Sequence, residues 1–495
     1  MRGWLDHLQV LLAKRFGMLL IISGSIVIGA LNALPHMQEA LWQDEAATIV
    51  FHSTRGMLSP FLHYMAPNNH IAFSSMLAAW IALFPDGIDI FSLRLLPLLL
   101  FLGAIPVTYF AALRLGGPLC AVVSSISFSI SPVTANFATQ LRGYGPSWIF
   151  MSALLLCGAN SFAARGARMW RLGYAFACFG AVALLPTNFY FSNLAAVALT
   201  AYHLACGTRI DRSTMRGYAV ILIVPAISLI LAYGSVWNEL MSFRHVGFSN
   251  WNLTGLARDW LHGIWASFGW LSVLTGAGIA VGLYATIQAF YSRKPEIAPE
   301  FLAAIILIVG FGFAVASIPT VPFPRSLVPY LPLWLIAMSM LVSHGLTSLR
   351  QRGRGLAFGI GAAAFLLPSW AAPPVASCRN SAGSGDPFEY TLCHQYFRDH
   401  YYPSRVLDVW ASLQHDDMPI VSDFEGFRAL QILGSRAKVY EYRNFQPSDL
   451  MAPIFVAHGR PEMERMAGYL GLRSKSYVLI ADTGYFKVYG AVAPP

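Results

Sequence analysis

Long apolar segments of about 20 residues alternate with short polar segments along most of the chain. A helix needs about that length of mostly apolar sequence to cross the hydrocarbon core of a bilayer. The pattern therefore predicts an all-α polytopic membrane protein with about 11 transmembrane helices. The predicted crossings lie near residues 16–34, 92–113, 118–133, 145–164, 172–187, 189–206, 217–237, 264–290, 301–318, 326–347 and 355–371.

The apolar segment Ile71–Phe84 is an exception, because it is too short to cross and ends at the turn sequence Pro85-Asp86-Gly87. Segments of roughly 10 to 14 apolar residues are more often interfacial. We therefore predict a helix at the membrane surface here. A full crossing would invert every later loop.

The basic residues support this topology. The predicted loops on the side of the N-terminus hold fifteen Lys and Arg residues, whereas the opposite side holds six before the tail. Because cytoplasmic loops are enriched in Lys and Arg, we predict a multi-pass protein of the inner (plasma) membrane with a cytoplasmic N-terminus. The first apolar segment is predicted to be an uncleaved span rather than a signal peptide.

The composition agrees with this class, since 56% of the residues are hydrophobic, 12% are charged and the mean hydropathy is +0.54. The net charge of +9 is explained by the basic loops, so no nucleic-acid partner is predicted.

An odd number of crossings puts the tail outside the cytoplasm. We predict a transmembrane domain over 1–371 and a small periplasmic α/β domain over 372–495, with strands near 418–423, 476–481 and 485–489 and a helix near 424–434. Cys378 and Cys393 flank a polar segment of this tail and are a candidate disulfide.

The first predicted outer loop, residues 35–91, holds more titratable residues than any other loop between spans. It includes the sequence Trp42-Gln-Asp-Glu-Ala46, in which a helix would set Asp44 and Glu45 about 100° apart. Acids near a helix start can instead simply interact with its dipole. Since no ionisable residue lies near the middle of a predicted span, ion-coupled transport is disfavoured.

Three cationic or titratable side chains on the same predicted side are candidate phosphate ligands. Arg142 lies in the second outer loop, and Arg325 precedes the tenth predicted span. Arginine binds phosphate bidentately, although interfacial arginines also serve as anchors. His70, in Pro67-Asn-Asn-His70, could contact a phosphate or remain a surface histidine beside a capping Asn.

Several motifs, in this order along the chain, resemble those of the C-type superfamily of membrane glycosyltransferases (GT-C). They are Asp44-Glu45 after the first span, Asn69-His70, Phe91-Ser-Leu-Arg-Leu-Leu-Pro97, Leu141-Arg-Gly-Tyr144 and Pro324-Arg-Ser-Leu-Val-Pro-Tyr-Leu-Pro332. The resemblance covers the membrane portion and is strongest for the protein mannosyltransferase and aminoarabinose transferase branch. It implies transfer of a sugar from a polyprenyl-phosphate carrier to an acceptor hydroxyl, with inversion, on the periplasmic side.

The resemblance also implies roles for individual residues. Asp44 best matches the catalytic base, and Glu45 is the second candidate. The donor phosphate would be bound by Arg325, Arg142, His70 and Arg94, and the substrates by Trp42, Asn69, Tyr144 and Tyr330. The second outer loop has no acid where many relatives have one, and Gln140 stands nearby. No cofactor is predicted, and a divalent metal is disfavoured because a lipid monophosphate needs less charge neutralisation.

Other functions stay open at the level of sequence. The chain could be a flippase for lipid-linked sugars or polysaccharides, or an O-antigen-type polymerase or ligase. The latter would use the loop 238–263, which holds Arg244, His245, Arg258, Asp259 and His262. The partners expected for a transferase are the lipid-linked donor, membrane lipids and a lipid, glycan or protein acceptor.

Overall fold

The structure is a computed structural model. It describes residues 15–37, 45, 48–53, 56–63, 69–84, 89–162, 166–207, 211–242, 299–317, 324–351, 420–422, 439–441, 454–457, 460–470, 472, 477–482 and 487–491. The predicted crossings 264–290 and 355–371 and most of the loop 238–263 lie outside these residues, so the prediction of 11 spans stays a prediction.

Most of the described residues are helical. The α-helices are α1 (Arg15–Ala33), α2 (Ser59–Leu62), α3 (Ile71–Ile81), α4 (Ile90–Ile130), α5 (Pro132–Phe137), α6 (Ser147–Asn160), α7 (Ala167–Leu184), α8 (Asn188–Ala205), α9 (Arg212–Tyr233), α10 (Trp237–Ser242), α11 (Pro299–Ala316), α12 (Leu331–Gln351) and α13 (Arg460–Tyr469). Among the described residues, three helical segments are long and apolar enough to cross a membrane, namely Phe16–His36, Ile90–Ile130 and Arg212–Met241.

Helix α4 is a hairpin of two helices rather than one rod. At Gly117 the backbone has φ 82° and ψ −174°, a conformation that glycine adopts far more readily than other residues. In a straight helix Phe101 and Phe128 would lie about 40 Å apart. Their ring centroids are instead 5.5 Å apart. The chain therefore reverses near Gly117, between the two predicted crossings 92–113 and 118–133.

Helix α3 is the segment for which the sequence predicts a membrane-surface helix. It has 11 residues, a length of about 16 Å, which is too short to cross the hydrocarbon core. Phe73 and Leu77 of α3 pack in a buried cluster with Leu93, Leu141 and Leu184. This cluster fixes α3 against the start of α4 and the end of α7.

The described residues of the tail form a five-stranded sheet with the order β2-β1-β3-β5-β4. Strands β1 (Ile420–Ser422), β2 (Val439–Glu441) and β3 (Ile454–Ala457) are parallel, whereas β5 (Lys487–Ala491) is antiparallel to β3 and to β4 (Tyr477–Asp482). Met463 and Met466 of α13 pack with Phe455 in a small core. Much of the predicted domain 372–495, including Cys378 and Cys393, lies outside the described residues.

Candidate active site

A buried ion pair connects the first predicted outer loop with helix α4. Arg94 donates from Nη1 to Glu45 Oε1 at 2.9 Å and from Nη2 to Glu45 Oε2 at 3.1 Å. Both side chains have no exposed surface. Paired, parallel hydrogen bonds of this kind hold a carboxylate in one orientation.

The same pair binds the segment 138–146, which connects α5 and α6. Arg94 Nη1 also donates to the Thr139 carbonyl at 2.8 Å, and the Leu141 N–H donates to Glu45 Oε1 at 2.9 Å. From Arg94 and Leu141, Glu45 Oε1 therefore accepts two hydrogen bonds and Oε2 accepts one. The first and second predicted outer loops are joined through this single carboxylate.

Two glycines allow this segment to pack closely. A Cβ atom on Gly143 would lie 2.8 Å from the Leu184 carbonyl oxygen and 3.0 Å from His70 Nδ1. A Cβ atom on Gly145 would collide with the Phe137 carbonyl. Larger residues would therefore push the segment away from α7 and His70.

His70 lies in this contact and is 3% exposed. Its Nδ1 lies 3.0 Å from the Leu184 carbonyl oxygen. Because a carbonyl can only accept, Nδ1 must carry the proton of this hydrogen bond. In the neutral ring Nε2 is then the acceptor, and in the imidazolium ion both nitrogens are donors.

Arg142, Tyr144 and His70 form a contiguous buried group. Arg142 Nη2 donates to the Tyr144 hydroxyl at 3.2 Å, and its guanidinium carbon lies 5.4 Å from the centroid of the Tyr144 ring. The Tyr144 and His70 rings meet edge to face, with centroids 4.9 Å apart. The predicted phosphate ligands Arg142 and His70 thus both contact Tyr144.

Asn69 and Tyr330 are both used in the fold. The Asn69 amide donates to the carbonyls of Pro60 and His63 and accepts from the Ser74 hydroxyl, which ties α2 to α3. The Tyr330 hydroxyl donates to the Leu307 carbonyl at 2.6 Å. These contacts give both side chains a structural role, and their predicted contacts with a substrate stay predictions.

The segment that contains Arg325 packs against the start of α6 and the segment before it. It forms the 3-10 helix Pro324–Tyr330, and the Val328 carbonyl accepts from Trp148 Nε1 at 2.9 Å. Val328, Trp148 and Tyr144 share one buried cluster with Met37, which follows α1. The structure therefore brings together the three segments in which the sequence placed the candidate chemistry.

Trp42 and Asp44 lie outside the described residues, and so does the side chain of Arg325. The predicted role of Arg94 at the donor phosphate stays a prediction, and in the structure its guanidinium binds Glu45 and Thr139. We assign it to positioning the loops.

The sequence did not single out Thr139 or the backbone of Leu141, which bind the Arg94–Glu45 pair. The glycine spacing in Gly143-Tyr-Gly145 was the available signal of a close backbone approach at this segment.

Comparison with solved structures identifies the fold. No family model matches the sequence, and neither does any curated protein sequence. The chain is similar to ArnT from Cupriavidus metallidurans in its apo state, with a TM-score of 0.56 and 17% identity over 95% of this chain and 97% of that one. The form bound to undecaprenyl phosphate gives a TM-score of 0.60 and 15% identity over 97% and 99%. The chain has the C-type glycosyltransferase fold.

The structure of a second protein agrees with this assignment. The apo oligosaccharyltransferase of Archaeoglobus fulgidus gives a TM-score of 0.50 and 13% identity over 97% of this chain and 75% of that chain. Since these identities are low, the comparison establishes the C-type fold, and the chemistry must be argued from the residues of the site.

Proposed function

We propose that this protein is an integral membrane glycosyltransferase that moves a sugar from a polyprenyl-phosphate carrier to an acceptor hydroxyl on the periplasmic side. The C-type fold supports the class of reaction, since the similar ArnT structure is bound to undecaprenyl phosphate. The single observation that carries the proposal within the site is the Arg94–Glu45 ion pair, which joins the first and second predicted outer loops.

The ion pair favours Asp44 over Glu45 as the base. Three donors occupy the Glu45 carboxylate, and the side chain is fully buried. A general base must reach the proton that it removes. Asp44 precedes Glu45 directly in the chain, and in a helix its side chain would point about 100° away. Glu45 is then a positioning residue that anchors the neighbouring base.

In the proposed reaction the acceptor oxygen attacks the anomeric carbon from the face opposite the phosphate. The acceptor O–H proton passes to the Asp44 carboxylate. The bond between the anomeric carbon and the phosphate oxygen breaks, and the polyprenyl phosphate leaves with the electron pair. Attack from the opposite face inverts the anomeric configuration.

Cationic side chains would stabilise the leaving phosphate as its charge develops. Arg142 and His70 are candidates because both contact the Tyr144 side chain within one buried group. Arg325 is a third candidate, since its segment is bonded to Trp148, close in sequence to Tyr144. We propose that these three side chains bind the donor phosphate.

The experiment that tests the proposal is transfer of label from polyprenyl-phosphate sugars in membranes containing wild type, Asp44→Asn, Glu45→Gln or Arg325→Ala at equal expression. We expect Asp44→Asn to lower kcat by about 10²- to 10⁴-fold, the usual contribution of a general base, without lowering thermal stability. Glu45→Gln should lower stability and activity together. Normal transfer by Asp44→Asn would refute this base, and lipid flipping without transfer would favour the flippase.

A further inference from the structure

The segment between α5 and α6 combines irregular backbone with complete burial. Every residue from Phe137 to Trp148 is buried. Connecting segments usually lie at the surface, where water satisfies their polar groups. In this segment, Thr139 Oγ1 and Gln140 Nε2 have no hydrogen-bond partner among the residues that the structure describes.

These two groups require an explanation, because nearly all buried polar atoms in native proteins are hydrogen-bonded. An unsatisfied buried donor destabilises the fold, because the hydrogen bonds that it loses to water are not replaced. Gln140 is 1% exposed and Thr139 is fully buried. A bound ligand with oxygen acceptors would remove this cost.

Gln140 is also held close to the proposed chemistry. The Thr139 carbonyl before it accepts from Arg94, and the Leu141 N–H after it donates to Glu45. Both neighbours of Gln140 are therefore bound to one ion pair, and Asp44 precedes Glu45 in the chain. The backbone on both sides of Gln140 is therefore fixed to the ion pair of Glu45, the residue that follows the proposed base in the chain.

We propose that the Gln140 amide donates a hydrogen bond to an oxygen of the lipid-linked sugar phosphate and is a substrate-binding residue of this enzyme. The inference rests on the proposed function and adds a neutral amide to the arginine and histidine side chains proposed to bind the donor. A primary amide is neutral and offers two N–H donors, so it recognises oxygen without taking up a proton. The neighbouring Thr139 hydroxyl can serve the same ligand.

The test measures the Kd of a polyprenyl-phosphate sugar for the purified full-length protein, with intrinsic tryptophan fluorescence as the readout. KM and the thermal unfolding temperature are measured for the same variants. The variants are Gln140→Leu, Gln140→Glu and Thr139→Val. We expect about a 10-fold rise in Kd and KM for both Gln140 variants, the effect of one lost hydrogen bond at the strong end of the usual range. Gln140→Leu should unfold at the same or a higher temperature than wild type, because it removes an unsatisfied donor.

Thr200→Val is the matched control. Thr200 Oγ1 is also buried and lacks a partner among the described residues, but it lies within α8. We expect this variant to leave Kd and KM unchanged. An effect as large as that of the Gln140 variants would overturn the proposal, because burial of an unsatisfied group alone would then explain the result.

A competition experiment distinguishes the two parts of the donor that Gln140 could bind, the phosphate and the sugar. Polyprenyl phosphate without a sugar is used as a competitor. Weaker competition in Gln140→Leu would assign the hydrogen bond to the phosphate, and unchanged competition would assign it to the sugar.

Unchanged Kd and KM in both Gln140 variants would overturn the inference. If wild type binds the donor but transfers nothing, the proposed function fails, while the binding data still decide the role of Gln140.

Discussion

Arg94 and Glu45 form a bidentate ion pair. Arg94 Nη1 donates to Glu45 Oε1 at 2.9 Å, and Arg94 Nη2 donates to Glu45 Oε2 at 3.1 Å. Neither side chain reaches solvent. Removing one partner would leave an uncompensated buried charge, a change that costs roughly 3–5 kcal/mol in other proteins. Loss of either partner should therefore lower the stability of the protein and also displace the two predicted outer loops that the pair holds together.

The first prediction concerns this pair. Arg94→Met should lower the free energy of unfolding by about 3–5 kcal/mol. The exposed pair Arg460–Glu464 is the control, and Arg460→Ala should change stability by less than about 1 kcal/mol. The measurement is thermal unfolding in detergent. Equal effects of the two substitutions would mean that Arg94 does not hold the loops together.

The double variant Arg94→Met with Glu45→Leu tests how the pair acts. Replacing both charges by apolar groups can restore stability, because no buried charge is left. We expect it to be more stable than Arg94→Met but to remain inactive, since neither side chain can orient the second outer loop. Recovery of transfer activity in the double variant would contradict a positioning role for the ion pair.

The second prediction concerns the close approach at Gly143. Gly143→Ala should displace His70 or the Leu184 carbonyl, because the added Cβ atom would lie 2.8–3.0 Å from them. We expect lower transfer activity and a lower melting temperature. Gly24→Ala in α1 is the control, since no atom lies within 4 Å of its added Cβ, and it should be neutral or slightly stabilising. A fully active Gly143→Ala would show that the His70 contact is not needed.

The sequence predicted those parts of the fold that depend on local pattern. The length of the apolar segments placed helices near the observed ones, and the short segment at Ile71–Phe84 forms a helix of only 11 residues. Its place at the membrane surface stays a prediction. The turn near Gly117 follows from the polar, glycine-containing sequence between two apolar segments. In the tail, Val439–Glu441 and Ile454–Ala457 were not predicted, because strands this short contain little periodicity.

The site itself depends on contacts between distant residues. The sequence left Glu45 open as a base and placed Arg94 at the phosphate, since neither residue's partner can be recognised locally. Their pairing arises from the packing of α4 against the first loop. The position of His70 beside Tyr144 likewise depends on α7, whose Leu184 carbonyl holds the histidine. Motif order indicated the segments, whereas tertiary packing decides which side chains meet.

The third prediction concerns pH. Asp89 caps α4 and accepts from the Ser92 N–H at 2.6 Å. Hydrogen bonds from the Ser92 backbone and side chain lower the pKa of the Asp89 carboxyl. A lowered folded pKa means that the stabilisation is present above the ordinary pKa of aspartate, about 3.9, and is lost as the pH falls through the folded value.

Asp89→Ala should therefore melt at a lower temperature than wild type at neutral pH, and this difference should shrink in acid. Asp89→Asn is the control, because asparagine also caps helices but does not titrate. The difference in melting temperature between Asp89→Asn and Asp89→Ala should persist at every pH. A difference between wild type and Asp89→Ala that does not change with pH would mean that the charge on Asp89 makes no contribution to the cap.

The last prediction concerns divalent metal ions. The second outer loop offers the Gln140 amide near the position at which many C-type enzymes have an acid, and an amide is a weaker ligand for hard cations than a carboxylate. Arg142, His70 and Arg325 would supply the positive charge that a departing monophosphate needs. We therefore expect transfer activity to survive EDTA treatment and dialysis, and added Mg²⁺ or Mn²⁺ to leave kcat unchanged. Loss of activity with EDTA, restored by one of these ions, would contradict a metal-free mechanism and would require ligands in the part of the first loop around Asp44.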